Sequence, residues 1–323
     1  MTRSRRLPPA RGLRRKAGFA LLAVIWGTGV ISLLVVSFMS TGRLRLQTAS
    51  NIAGATQASY IAEGVINQAA MTLLGERDLV AQQAETTVRD GRPEYCVLAG
   101  AAVAFSIEDE SGKIDLNAAP QPLLQAMLMG LGLDKKTADN VANSIIAFRT
   151  TPGDDVAQMW AKQEVSEKPF GPKKAPFETI MELDQVSGID AALFRSMLPF
   201  VTVQSRTPGV DPLAAPPGLF AALAGFKFDE VQALTAAPYP NNLDRKDPRF
   251  PVNFRQPSER AAYLIHAEAL LATGQTAAKD AIVDLRGGIG GQLAIRELRR
   301  GQSRYLGNLR DMIASNGAGV PDC

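Results

Sequence analysis

The sequence predicts an α+β protein: a long N-terminal helix, an antiparallel sheet, and a large all-α segment inserted between the strands. Three observations carry the prediction. Residues 19–39 (FALLAVIWGTGVISLLVVSFM) form an apolar run without a charge, and helical spacing continues beyond it to Leu74. Strand-like runs occur at 95–110 and again at 261–285. Between them, apolar residues recur mainly at helical intervals.

The first run is long enough to cross a bilayer, which takes about 20 apolar residues in a helix. Seven basic residues and no acid precede it: Arg3, Arg5, Arg6, Arg11, Arg14, Arg15 and Lys16. Such a charge bias keeps the N-terminus in the cytoplasm and sends the remainder across. The junction Ala17-Gly18-Phe19 admits three readings. One is a plain signal anchor. A second is a cleaved secretory signal, although the run exceeds a typical h-region and only residues 37–42 loosely offer a cleavage site. Twin-arginine export is disfavoured by Leu7-Pro8-Pro9 directly after Arg5-Arg6. The third is a leader cut on the cytoplasmic side, after Gly18 and before Phe19, which leaves the helix on the mature chain. Lys16-Ala17-Gly18-Phe19-Ala20-Leu21-Leu22 resembles such a prepilin leader. The resemblance implies methylation of the new Phe19 amine. It also implies a Glu at the fifth mature position, where this chain has Ala23. In a fibre that buried acid pairs with the terminal amine of a neighbour, because an isolated one is costly. A tip subunit has no neighbour above it and can dispense with the acid; otherwise Ala23 is simply an anchor residue.

Beyond the membrane run, Ala62, Val65, Ile66, Ala69, Leu73 and Leu74 recur at helical spacing. One long helix therefore lays an apolar stripe on the body, with Gly42, Gly54 and Gly64 as its weak points. Residues 91–93 break the pattern. Runs at 95–99 and 102–110, the turn Ser111-Gly112-Lys113, and Ile114-Asp115-Leu116 beyond it read as a β-hairpin. Helical spacing then fills 120–130, 134–150, 175–184 and 191–198, with Asp134 as an N-cap. Residues 154–174 form a loop around Met159-Trp160, and 200–203 a short strand. Residues 236–257 are rich in Pro, Asn, Asp and Arg and read as loop. The runs 261–271 and 277–285, separated by Thr273-Gly274-Gln275, read as two antiparallel strands returning to the hairpin, with helix as the alternative for so alanine-rich a stretch. A flexible loop at 287–291 and a frayed end at 317–323 follow. There is also an internal echo. Asp115-Leu116-Asn117-Ala118-Ala119-Pro120, with Leu123 and Ala126, is matched by Asp211-Pro212-Leu213-Ala214-Ala215-Pro216, with Leu219 and Ala222. A helix-turn unit is thus expected twice. The chain divides into a leader (1–18), a transmembrane or assembly helix (19–41), the lower helix and first strands (42–115), an inserted α-helical domain (116–250), and returning strands with a tail (251–323).

The chain has 323 residues and a formal charge of +3, from 35 lysines and arginines against 32 acids. Seven of those cations lie in the leader, so the chain from Phe19 onward is acidic. That argues against nonspecific nucleic-acid binding, which needs a basic surface. The two cysteines, Cys96 and Cys323, form no metal spacing. They either pair in an oxidising compartment or remain free thiols. His266 is the only histidine. Any Ser-His-Asp triad would need it, but its apolar neighbours Ile265 and Ala267 suit a packed structural residue. There is no G-x-S-x-G and no H-E-x-x-H, so an enzyme is not expected.

Two resemblances meet in the helical segment. Residues 128–133 with 138–149, and 183–190 with 193–198, resemble helix-hairpin-helix units. Such hairpins bind DNA phosphates through glycine-flanked N–H groups, which makes a membrane-anchored periplasmic DNA-binding protein the alternative function. Here Asp134 and Asp190 follow the hairpins directly and would repel phosphate. The second resemblance covers nearly the whole chain. The leader junction with Ala23, SGKIDLN at 111–117, Met181-Glu182-Leu183 running to Gly188-Ile189, LPFVTV at 198–203, and the strand at 263–269 occur in one order. That order resembles the K-type minor pseudopilin of type II secretion, general secretion pathway protein K. The resemblance implies a pilin-like fold whose sheet is interrupted by a helical domain. It implies a non-enzymatic subunit at the pseudopilus tip, initiating or capping assembly during export across the outer membrane. The implied partners are the I-type and J-type minor pseudopilins, here through the 58–74 helix face, together with the prepilin peptidase and the inner-membrane assembly platform. The implied location is the bacterial inner membrane, single-pass, with a cytoplasmic N-terminus and a periplasmic body. Leu213 departs from the Asn of the first copy, and the C-terminal end has no match. Some members bind calcium in the helical domain, but no spaced carboxylate loop here is assigned to it.

Overall fold

The computed structural model describes residues 16–80, 89–151, 171–286, 293–315 and 319–323. It forms two compact units, Met1–Thr56 and Gln57–Cys323. Helix α1 spans Lys16–Val80. No proline interrupts it, and Gly42, Gly54 and Gly64 all lie in helical turns.

The second unit then builds, in order, β1 (Asp90–Leu98), β2 (Ala101–Asp109), β3 (Ile114–Asp115), α2 (Gln121–Gly130), α3 (Lys135–Arg149), α4 (Ala191–Met197), β4 (Val201–Thr202), α5 (Pro217–Leu223), α6 (Phe228–Ala236), β5 (Ala262–Leu270), β6 (Thr276–Asp284), β7 (Ala294–Arg300) and α7 (Leu306–Ala314). Five strands form one antiparallel sheet in the order β1-β2-β5-β6-β7. The predicted hairpin is β1–β2, and it turns at Ala99 and Gly100, both at positive φ (51° and 77°). That backbone matches the twist of the flanking strands. Ser111-Gly112-Lys113 does not return the chain to β2. It opens a 3-10 turn, Glu110–Gly112, after which Ile114 and Asp115 pair in parallel with Val201 and Thr202.

Asp134 caps α3 as expected, its carboxylate accepting from the Lys136 and Thr137 N–H groups. The helix expected over 175–184 is absent up to Thr179, and only a 3-10 turn, Ile180–Gln185, forms. Pro176 and a side-chain competitor explain this. The Asn117 amide takes both backbone groups of Phe177, accepting its N–H at 2.7 Å and donating to its carbonyl at 2.9 Å. The stretches 261–271 and 277–285 are strands, which removes the helical alternative. All nine residues of β5 are buried. With both sheet faces covered, the strand shows no polar alternation. The frayed end is also overturned. Cys323 is disulfide-bonded to Cys96, the Val97 N–H donates to the Pro321 carbonyl at 2.9 Å, and the Cys323 N–H donates to the Val97 carbonyl at 3.0 Å. The tail thus lies along the outer edge of β1. Most of the loop around Met159-Trp160, the loop at 287–291 and most of the leader lie outside the described residues.

The second unit holds two main cores. One joins α1 to the near face of the sheet through Ala62, Val65, Ile66, Val103, Ile265 and Val283. The other lies within the helical block around Leu123, Leu124, Met127, Ile145, Phe148 and Phe220. A smaller cluster seats Leu309 of α7 on Ala102, Ala104 and Leu270, on the far face of the sheet.

Candidate assembly site

Helix α1 carries the features an assembling subunit would use. Among the described residues it is the one helix long and apolar enough to cross a membrane. Phe19 and Ala23 are both exposed on it. In the second unit the predicted stripe is consumed internally: Ala62, Val65, Ile66, Ala69 and Leu73 are buried against the sheet, and Leu74 is half-buried. Glu63 fixes the register by pairing with Lys279 of β6 at 2.8 Å. The stripe is therefore not free for a partner. The exposed side of the same turns is Tyr60, Gly64, Asn67 and Met71.

The helical block contains the expected duplication. In each copy an aspartate opens a turn, the turn ends in a proline N-cap, and a helix follows. Asp115 accepts from the Asn117 and Ala118 N–H groups, and Asp211 from the Leu213 N–H. Each turn is held by an arginine further along. Arg149 donates to the carbonyls of Leu116 and Ala119, 33 and 30 residues back. Arg245 donates to those of Pro212 and Ala215, again 33 and 30 residues back. Neither arginine was picked out from the sequence, although this shared spacing was available to find them. The two copies meet where α2 packs on α5. A Cβ on Gly130 would stand 2.5 Å from the Ala222 Cβ, so only glycine allows that approach. The hairpin after α2 has Gly132 at φ +94°, and the one before α4 has Gly188 at +81°. Both helices that follow are capped by their own carboxylates, Asp134 and Asp190. The N–H groups a phosphate would need are already taken.

A buried ionic seam ties the block to the sheet. The Lys113 ammonium lies 2.8 Å from the carboxylates of both Glu108 and Glu110. Glu110 also accepts from the Thr202 hydroxyl, and Glu108 from the Arg304 guanidinium at 3.0 Å. Burial pushes the Glu108 carboxyl up, but Lys113 and Arg304 outweigh it and hold it down at about 2. For Lys113, burial pulls the pKa down, yet the two glutamates win and keep it above the ordinary lysine value. The sequence offered no signal for this seam beyond the charged run around the 3-10 turn. Among the described residues no group of three or more His, Cys, Asp or Glu side chains converges as a metal would require. His266 is a packed residue, fully buried between two carboxylates.

An N-terminal helix laid on an antiparallel sheet, with a helical block between two paired strands, defines a pilin-like α+β protein. Residues 103–206 match the family model described as Type II secretion system (T2SS), protein K. The fold is similar to a chain in the crystal structure of the GspK-GspI-GspJ complex from the enterotoxigenic Escherichia coli Type 2 Secretion System. The TM-score is 0.52 at 14% identity, covering 80% of this chain and 100% of that one. No curated protein matches the chain. Residues 103–206 are thus similar to protein K of type II secretion, and the fold as a whole is similar to that of a chain in the GspK-GspI-GspJ complex.

Proposed function

We propose that this subunit sits at the tip of the pseudopilus and starts or caps its assembly. The observation that carries the reading is the helical block. Strands β2 and β5 pair directly, yet residues 116–250 are carried between them. A mass of that size above the sheet would prevent another subunit from stacking on top. Ala23 agrees, since a cap needs no carboxylate for an amine overhead. The leader is cut between Gly18 and Phe19 by the prepilin peptidase, and Phe19 is methylated. The helix from Phe19 first holds the subunit in the inner membrane and is then drawn by the assembly platform into a bundle with the I-type and J-type pseudopilins. With the stripe already buried, that contact falls to the exposed face around Tyr60, Gly64, Asn67 and Met71. The body lies in the periplasm: the basic leader favours that orientation, and the Cys96–Cys323 disulfide suits an oxidising compartment. The role is structural rather than enzymatic, and nucleic acid has no part in it.

The test is co-expression of the full chain with the I-type and J-type pseudopilins of its own system, followed by mass spectrometry. A mature chain starting at methylated Phe19, present once per complex, is the expected result. Many copies along an isolated fibre would make this a shaft subunit and end the tip reading.

A further inference from the structure

The far face of the sheet carries a buried charge cluster that assembly at the tip does not use. His266 stands in the middle of β5 with no exposure. Its Nδ1 lies 2.6 Å from Asp280 on β6, and its Nε2 lies 2.9 Å from Glu268 on its own strand. A carboxylate only accepts, and a neutral imidazole has a single N–H. Both contacts are hydrogen bonds only when the ring carries both protons. Other charged and titratable groups face this cluster. Arg299 of β7 reaches Asp280 at 3.5 Å. Arg304 pairs with Glu108 of β2, behind which stands Lys113. The Tyr305 ring stands edge-on to the imidazole at 5.6 Å, and Tyr95 of β1 stands edge-on to Tyr305 at 6.4 Å.

Glu268 also anchors the last helix. It accepts from the Ser303 hydroxyl at 2.7 Å, from the Arg304 N–H, and from the Tyr305 N–H at 3.0 Å. Tyr305 is the N-cap of α7. One carboxylate therefore joins the histidine to the start of the helix that covers Ala102, Ala104 and Leu270.

We propose that residues 303–314 form a pH-operated latch over the far face of the sheet, closed while His266 is protonated. Loss of the proton leaves two buried carboxylates sharing one N–H. Glu268 and Asp280 keep their other donors, but a buried carboxylate that loses one is destabilised. The nearest relief is to hydrate Glu268, which requires Ser303, Arg304 and Tyr305 to lift away and α7 to follow. Burial pulls the imidazole pKa down, but the hydrogen bonds to Asp280 and Glu268 win and raise it above 6.5. A raised histidine stabilises fully below its ordinary pKa and loses that contribution as pH climbs through the folded value. Glu268 and Asp280 are both lowered despite burial, so the cluster stays charged on the acid side. The latch opens with alkali.

Because His266 is the only histidine, its ring gives one unambiguous set of imidazole NMR signals, of which the Cε1–H is followed. The experiment uses the full chain in detergent micelles. It follows that signal alongside amide hydrogen exchange from about pH 6 to about pH 10, corrected for intrinsic base catalysis. The expected result is a histidine midpoint above 6.5, with protection of the 303–314 amides falling about tenfold or more through the same midpoint. The α2 and α3 amides should stay constant. Glu268→Gln keeps the acceptor but removes a charge, and should move both midpoints down together. Ser303→Ala should weaken protection without moving the histidine. A histidine midpoint at or below 6.5, or α7 protection that ignores the histidine titration in the unaltered chain or in Ser303→Ala, would overturn the latch.

Discussion

The sheet and the helical block of the second unit are held by different chemistry. Among the described residues, α2 to α6 contribute no buried polar or charged side chain. The sheet and its junction bury Glu110, Lys113, His266, Glu268, Asp280 and Asp284. Apolar packing is non-directional and scales with area, so spacing can specify the helices of the block. A buried charge needs a partner at hydrogen-bond distance, so the sheet depends on particular pairs. The block should therefore tolerate volume-conserving exchange, whereas the sheet should fail when one member of a pair is removed.

The sharpest test of that difference is covalent. Cys96→Ser opens a loop of sequence separation 227 and should cost about 5 kcal/mol by chain entropy. Denaturant unfolding measures the loss. Exchange of the α2 and α3 amides should change far less than that of β1, and equal changes would merge the two regions into one. Next comes Lys113→Met, which takes the shared ammonium away from two glutamates and should cost roughly 3–5 kcal/mol. Leu124→Met in the block should cost less than about 1.5 kcal/mol. The lysine variant also has a pH signature. Glu108 is depressed, so its contribution is present above its ordinary value of 4.5 and is lost as pH falls through about 2. Removing Lys113 should move the acid transition upward, as followed by circular dichroism.

Inside the block the two copies can be set against each other. Arg149→Ala leaves two carbonyls without their donor and should cost roughly 2–4 kcal/mol in thermal or denaturant melts. The smallest effects separate Asn117 from its counterpart. Asn117→Leu breaks both bonds to Phe177 and should cost about 1–2 kcal/mol. Leu213→Asn, on an exposed residue, should fall within about 0.5 kcal/mol of zero. If the two exchanges cost the same, the Asn117 lock is not what distinguishes the copies.

The contrast also explains what the sequence could and could not reveal. The stem stripe from Ala62 to Leu73, the cap at Asp134 and the echo from Asp115 to Asp211 were legible because each has a local period or a local bond. The helix expected over 175–184 failed because Asn117, far away in sequence, claims the Phe177 backbone. Strand β5 was ambiguous because burial on both faces erased its alternation. The docked tail was legible only as the pairing alternative for Cys96 and Cys323, and the Glu268 anchor depends on contacts across the chain that nothing near Ser303 announces. The stem face was misjudged for a related reason. An apolar stripe shows that something covers it, and here the cover is the protein's own sheet.

The position of the block between β2 and β5 has a consequence for the order of folding. Ala102 through Asp109 pair with Leu270 through Tyr263, strands far apart along the chain. Joining such distant segments costs loop entropy before any contact repays it. The block shortens that search. Its entry and exit are drawn together by the Ile114–Val201 pairing, by the Asp211 N–H on the Ser111 carbonyl at 2.9 Å, and by the Ser258 hydroxyl on Asp109 at 2.5 Å. A condensed block delivers the start of β5 to the end of β2 as nearly adjacent chain. The helical hairpins should then mature first and the central strands zip afterward. Pulse-labelled hydrogen exchange during refolding would record α2 and α3 protected before β2 and β5; the reverse order would refute this sequence of events.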